Sequence, residues 1–222
     1  MLKAERLSYY RDGHPIFSEI SFNVEAGTCC FVKGQNGSGK TTLLRILAGH
    51  LPIQSGIIHL NGMRISSDRD FISQNIDYIG HRNSIKKQMT ALENLKFWNN
   101  IFASNKQIDF GSNFEDRMVI NRFRNKLISF CSVGQTRRVA LSRLNTSERK
   151  LWLIDEPTTS LDHYAVKNFG EMIEDHCLHG GAAIIATHSD INMPKIVSKS
   201  ITLGKITHDK TYDHDPFLDG DW

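Results

Sequence analysis

The chain has 222 residues, 40% of them hydrophobic and 23% charged, with a formal net charge of +3. This balance suits one globular domain with its own core and excludes collagen, coiled coil and wholesale disorder. No apolar run approaches the roughly 18 residues that cross a bilayer, and the charge is too modest for a nucleic-acid binder working through phosphate contacts.

The N-terminus, Met1 to Glu5, lacks the apolar core of a signal peptide, so the expectation is a cytosolic chain whose membrane span, if it needs one, comes from a partner. Leu2 to Tyr10 and Ile16 to Val24 read as strands around the turn signal Asp12-Gly13-His14-Pro15. Thr28 to Lys33 is a compact buried strand, followed by a glycine-rich loop and a helix whose apolar face is Leu43, Leu44, Ile46 and Leu47. Ile57 to Leu60 is a further strand, closed by Asn61-Gly62. From Gly80 to Leu144 the pattern turns helical, over Ala91 to Phe102 and again over Val119, Ile120, Phe123 and Leu127, with a polar loop at Ser104 to Asn113. Leu151 to Ile154 and Ala182 to Ala186 are apolar throughout, as interior strands of a parallel sheet are. Ile201 to Thr207 reads as a closing hairpin, and the acidic tail is loose.

Cys29, Cys30, Cys131 and Cys177 show no C-x-x-C spacing and fit a reducing compartment. His176, Cys177 and His179 resemble a metal cluster superficially, but they lack a nearby fourth ligand and read as structural. The basic clusters Arg82 to Lys87 and Arg117 to Lys126 are either solvated faces or contacts to a partner or anionic lipid.

Gly34-Gln35-Asn36-Gly37-Ser38-Gly39-Lys40-Thr41 matches G-x-x-x-x-G-K-[ST] at every fixed position, with Thr42 following. Glycines let successive N–H groups curl around phosphate oxygens. Lys40 reaches the terminal phosphates, Thr41 offers a hydroxyl to Mg²⁺, and the helix N-terminus adds a favourable dipole. Downstream, Leu151-Trp152-Leu153-Ile154 runs into Asp155-Glu156. A buried strand ending in Asp155 presents that carboxylate to Mg²⁺, and Glu156 is placed to polarise an attacking water. Together these elements point to hydrolysis of a nucleoside triphosphate.

Cys131-Ser132-Val133-Gly134-Gln135, opening an amphipathic helix over Thr136 to Leu144, resembles the L-S-G-G-Q signature of ATP-binding cassette ATPases. Asp162 in Ser160-Leu161-Asp162 resembles their D-loop, and His188 in Ala186-Thr187-His188 their switch histidine. The resemblance covers Leu2 to about Thr207 and implies an α/β P-loop fold: a mixed or parallel core sheet, an N-terminal antiparallel β-subdomain and a short helical insertion. It divides a single domain into an α/β core at 1–80 and 145–210, an insertion at 81–144 and a tail at 211–222. It also implies ATP and Mg²⁺ as ligands and a head-to-tail homodimer, with Ser132, Gly134, Gln135 and Asp162 reaching the nucleotide in trans. Glu156 is then the general base and His188 holds the γ-phosphate.

The chain departs from the family pattern at Cys131 and Val133, at His81 in place of the Q-loop glutamine beside the metal, and at the adenine-stacking aromatic, where Arg11 or Tyr10 stands. Ile79-Gly80-His81, Thr90 to Leu95 and Gly134 to Leu144 resemble the ATP-binding subunit of the haem exporter in bacterial cytochrome c maturation. That resemblance implies integral membrane partners and a peripheral place on the cytoplasmic face of the inner membrane. With no C-x-x-C-H, direct haem binding is not expected. The alternatives are a soluble cassette ATPase, such as an iron–sulfur scaffold component, a transporter subunit for another substrate, a tandem-cassette translation factor, and a cassette that binds without catalysis.

Overall fold

A computed structural model of the chain describes residues 1–65, 69–102 and 117–204. The expected loop at 104–113 and tail at 211–222 lie outside the described residues.

Two sheets share the core. The first is antiparallel, in the order β2-β1-β4-β5, built from β1 (Leu2–Arg11), β2 (His14–Val24), β4 (Ser55–Leu60) and β5 (Met63–Arg64). Asn61 and Gly62 both adopt positive φ, +52° and +81°, which is the two-residue turn that joins β4 to β5 with the native strand twist. The second sheet is parallel, in the order β6-β7-β8-β3-β9. Its strands are β3 (Thr28–Lys33), β6 (Ile76–Ile79), β7 (Leu151–Asp155), β8 (Ala182–Ala186) and β9 (Val197–Thr202).

Strand alternation divides the parallel sheet between two apolar layers. Cys30, Val32, Leu151, Leu153, Ala182, Ile184 and Ala186 face one layer, with the antiparallel sheet and α1 (Lys40–Leu47). Cys29, Trp152, Ile154, Ala183 and Ile185 face the other. There they meet α5 (His163–Leu178) through Phe169, Met172 and Ile173, and the insertion through Leu95, Met118, Ile120, Ile128 and Val139. Burial on both faces is why β7 and β8 are continuously apolar.

In the insertion, α3 (Ala91–Ile101) starts at a capping box in which Thr90 and Glu93 exchange side-chain and backbone hydrogen bonds. The signature helix α4 (Val133–Ser142) begins three residues earlier than its apolar pattern suggests, because Ser132 caps it. A short helix, α2 (Arg69–Asn75), runs directly into β6.

One expectation is corrected. Val119 to Leu127 is not a helix: Val119 takes a left-handed φ of +57°, only Ile120–Arg122 forms a 3₁₀ turn, and Ile120 and Phe123 are buried while Leu127 is exposed. The expected hairpin at Ile201 to Thr207 runs past Gly204, where the described residues end. Val197–Thr202 is one exposed edge strand lying parallel to β3.

Candidate active site

Three parallel strands bring the chemistry together. β3 and β7 flank β8, and all three end on the same side of the sheet, where ligands of open α/β sheets bind. The phosphate loop leaves β3, the carboxylates end β7, and His188 follows β8.

In the loop, Gly34 has φ +150° and leaves no room for a Cβ, which would lie 2.7 Å from the Leu203 carbonyl oxygen. Gly39, at φ +94°, is the N-cap of α1, and its missing side chain admits Ile16. Gln35, Asn36 and Gly37 form the exposed rim, whereas Ser38 is buried with an unpartnered Oγ. Lys40 is only 7% exposed. Its ammonium donates to the carbonyl oxygens of Gly34 at 2.8 Å and Gln35 at 3.1 Å, and lies 3.0 Å from His188 Nε2. An ammonium held by neutral carbonyls in a glycine cradle is a counter-charge ready for an anion. Thr42, buried in the first turn of α1, is in sequence with it.

Thr41 Oγ1 donates to Asp155 Oδ2 at 2.8 Å, joining the loop to the end of β7. Asp155 is 1% exposed and its Oδ1 has no partner. A buried orphan carboxylate oxygen beside a hydroxyl is costly by itself. It is also a hard-oxygen donor set of the kind Mg²⁺ takes alongside phosphate oxygens, so the residues present fit that ion.

Glu156 follows in a left-handed conformation, φ +46°. Such a backbone costs about 1–3 kcal/mol for a non-glycine residue and persists only where its surroundings hold it. Here the Glu156 N–H donates to the Ala186 carbonyl at 2.8 Å, and its carboxylate Oε1 lies 3.5 Å from His188 Nε2. The strain turns the side chain out of the strand towards the residue that follows β8.

The signature forms a second cluster. Ser132 Oγ accepts from the Gln135 N–H at 3.1 Å while Gln135 Oε1 accepts from the Ser132 N–H at 3.0 Å. The two bonds together form a capping box at the start of α4. Gly134 packs so closely on the next loop that a Cβ would sit 2.6 Å from the Ser160 carbonyl oxygen. Arg138 pairs with Asp162, which caps α5 by accepting from the Ala165 N–H at 2.8 Å. Sequence reasoning missed Arg137, which is buried and reaches carbonyls at the ends of both β6 and β7.

Other expected site residues stand apart. Tyr10 and Arg11 are exposed at the end of β1, where the Tyr10 backbone is bracketed by the Gln54 side chain. His81 is exposed and lines a cavity of about 890 Å³ with Tyr78, Arg82, Trp98, Phe102 and Arg143, and neither Thr41 nor Asp155 is in that lining. The candidate metal cluster dissolves into packing: His176 stacks on Trp152 with ring centroids 3.6 Å apart, and Cys177 is buried with its thiol against the Thr28 carbonyl. Burial raises the Cys177 thiol to about 12, which keeps it protonated.

A glycine cradle closed by a lysine, a Thr–Asp pair and a strand-end glutamate facing a histidine define a P-loop nucleoside triphosphatase. The family profile described as ABC transporter matches residues 17–159. The cytochrome c biogenesis ATP-binding export protein CcmA of Vibrio cholerae is 35% identical over 206 residues, covering 92% of this chain and 99% of that one. The protein of the same name from Paracoccus denitrificans is 38% identical over 195 residues, covering 88% and 86%. Among solved structures, the dimeric post-hydrolysis state of the ATP-binding cassette MJ0796 bound to ADP and Pi shares the fold, with a TM-score of 0.75 at 21% identity over 93% of this chain and 97% of that one. The chain belongs to the ABC transporter family, among its cytochrome c biogenesis ATP-binding export proteins.

Proposed function

We propose that the chain binds and hydrolyses ATP as the energy-supplying subunit of a membrane complex that serves c-type cytochrome biogenesis. The observation that carries this reading is the convergence of Lys40, Thr41, Asp155, Glu156 and His188 at the ends of three adjacent parallel strands. The names of the relatives support the biogenesis role. The soluble iron–sulfur scaffold is not favoured, since those relatives are named export proteins.

In this mechanism the loop N–H groups and Lys40 hold the β- and γ-phosphates, Lys40 exchanging the Gly34 and Gln35 carbonyls for phosphate oxygens. Thr41 and Asp155 would hold Mg²⁺, which would offset the charge of the phosphates. Water attacks the γ-phosphorus, the bond to the β-phosphate oxygen breaks, and the water proton passes to the Glu156 carboxylate, leaving ADP and phosphate. His188, within 3.5 Å of that carboxylate, contacts the γ-phosphate and fixes the Glu156 side chain. Ser132, Gly134, Gln135 and Asp162 complete the site of a second copy, and Tyr10 or Arg11 covers the adenine. His81, at the Q-loop position, is the further candidate to reach the metal or its water.

Membrane-spanning subunits are the implied partners; among the described residues no helix is long and apolar enough to cross a membrane. Peripheral attachment to the cytoplasmic face of the inner membrane follows from that division of labour. The test is deletion of this chain followed by a haem stain for covalent c-type cytochromes. Loss of the stained bands, restored by the wild-type chain and not by one carrying Glu156→Gln, is expected. Normal bands in the deletion would overturn the biogenesis role and leave the ATPase reading standing.

A further inference from the structure

Arg137 lies in the middle of the signature helix, yet its side chain is only 4% exposed and all its work is done outside that helix. Its Nε donates to the Pro157 carbonyl at 3.3 Å. Nη2 donates to the carbonyls of Asp155 at 2.8 Å and Glu156 at 2.9 Å. Nη1 donates to the Gly80 carbonyl at 3.1 Å and to Asn83 Oδ1 at 2.8 Å. A guanidinium has five N–H donors in a rigid plane, and here each has an acceptor. Three of those acceptors are the consecutive carbonyls of the turn that follows β7, and the others belong to the turn that follows β6.

The Glu156 peptide is therefore held from both sides, its N–H by the Ala186 carbonyl of β8 and its C=O by Arg137. Its left-handed backbone needs such restraint, because nothing in the local sequence favours that conformation for a glutamate. Carbonyls converging on a buried cation also offset part of its desolvation. Burial lowers the Arg137 pKa to about 10, the neighbouring Asp155 and Glu156 carboxylates oppose that shift, and the group stays charged at neutral pH. The same side chain spans to Gly80, which lines the large cavity beside His81 and Arg82.

We propose that Arg137 is a positioning residue for hydrolysis, setting the Glu156 backbone from the signature helix and tying that setting to the Gly80–Asn83 turn. It touches no phosphate and takes no proton. The proposal rests on Glu156 being the general base, and predicts a defect in turnover separate from nucleotide binding. Lysine cannot replace it, since one ammonium with three donors cannot span acceptors on two sides of a plane.

The test uses the full chain with Arg137→Lys or Arg137→Gln, beside wild type and Glu156→Gln. MgATP affinity within about twofold of wild type and kcat lowered about tenfold or more, with KM little changed, is expected for both Arg137 variants. A folded Arg137→Lys protein with kcat within about twofold of wild type overturns the proposal, as does a fall in affinity as large as the fall in kcat. Should neither variant fold, Asn83→Ala carries the test, because it removes one acceptor and leaves the guanidinium in place. A kcat about threefold lower at unchanged KM supports the latch, and an unchanged kcat overturns it. Wild-type turnover in Glu156→Gln would instead sink the general-base reading, an outcome visible without any Arg137 variant.

Discussion

Lys40 Nζ lies 3.0 Å from His188 Nε2, across the gap between the ends of β3 and β8. An ammonium can only donate, so the histidine nitrogen accepts from Lys40 where it carries no proton, and where it carries one it faces the glutamate as a donor. The same nitrogen is 3.5 Å from Glu156 Oε1, so the lysine also carries positive charge close to the glutamate. In the proposed mechanism a γ-phosphate arriving between them would draw Lys40 away and change what His188 faces. Lys40→Ala removes charge-assisted bonds of about 1.5–3 kcal/mol, which is roughly 10- to 100-fold in ATP affinity. Equilibrium binding with a fluorescent nucleotide measures this directly, and wild-type affinity in the variant would contradict the cradle.

The bond from Thr41 to Asp155 makes a different prediction, about the ion rather than the nucleotide. Asp155→Asn keeps the shape and the acceptor for Thr41 but removes the charge next to the orphan oxygen position. ATP affinity in the wild type should rise on adding Mg²⁺, and in Asp155→Asn that gain should shrink by about tenfold, or roughly 1.4 kcal/mol. Titrations with Mg²⁺ and with EDTA separate the two proteins. An equal gain in both would remove Asp155 from the metal site.

Glu156→Gln preserves the side-chain shape and the strained backbone while removing the proton acceptor. General-base catalysis contributes about 10²–10⁴-fold, so kcat should fall by at least about 100-fold with MgATP binding intact. Because each copy has its phosphate loop and its signature at separate places, ATP trapped unhydrolysed should also favour a two-chain assembly. Size-exclusion chromatography with MgATP should show a dimer for Glu156→Gln and mainly monomer for wild type after turnover. Residual hydrolysis near the wild-type rate would reassign the base.

Ile184 sits at the middle of β8, fully buried, on the face turned to the antiparallel sheet and α1. Ile184→Ala leaves a cavity where no neighbour can collapse freely, costing about 2–5 kcal/mol. At about 2–4 °C per kcal/mol for a domain of this size, the expected fall in Tm is several degrees or more. A change under about 1 °C would mean that Ile184 does not pack into the layer where the strand alternation puts it.

The parts most legible in the sequence were those where one physical demand fixes the residue type. Glycines at Gly34 and Gly39 answer steric contacts, and the all-apolar β7 and β8 answer burial on both faces. Edge strands carry no such demand. In β9 only Ile201 is half-buried, so its Val-Ser-Lys-Ser-Ile-Thr run has no alternation to betray it, and its partner β3 is far away in sequence. Over Val119 to Leu127 the helical spacing misled, because only Ile120 and Phe123 of that set enter the core while Leu127 stays exposed. Arg137 was invisible because a cation in a helix reads as solvated surface. Its burial depends on backbone carbonyls at Gly80 and Asp155 to Pro157, and backbone leaves no mark in side-chain patterns.

The loop before α3 bears on the proposed membrane partner. Asn94, fully buried, accepts from the Lys86 N–H at 2.9 Å and donates to the carbonyls of Lys86 and Thr90, both at 3.0 Å, so residues 86–90 are held rigidly. Lys86 Nζ lies 4.5 Å over the Phe97 ring, and Lys87 is exposed beside it. A fixed loop presenting two cations near the large cavity, itself lined by Arg45, Arg82, Arg143 and Arg149 against Asp77, suits a partner surface rich in carboxylates. Reversing both charges, Lys86→Glu with Lys87→Glu, should lower recovery of the chain with solubilised membrane partners by about tenfold, since rim charges act chiefly on association. Basal ATP hydrolysis by the isolated chain should stay within about twofold, because neither lysine touches the phosphate site. Full co-purification of the reversed protein, at low ionic strength where such contacts are strongest, would move the docking surface elsewhere.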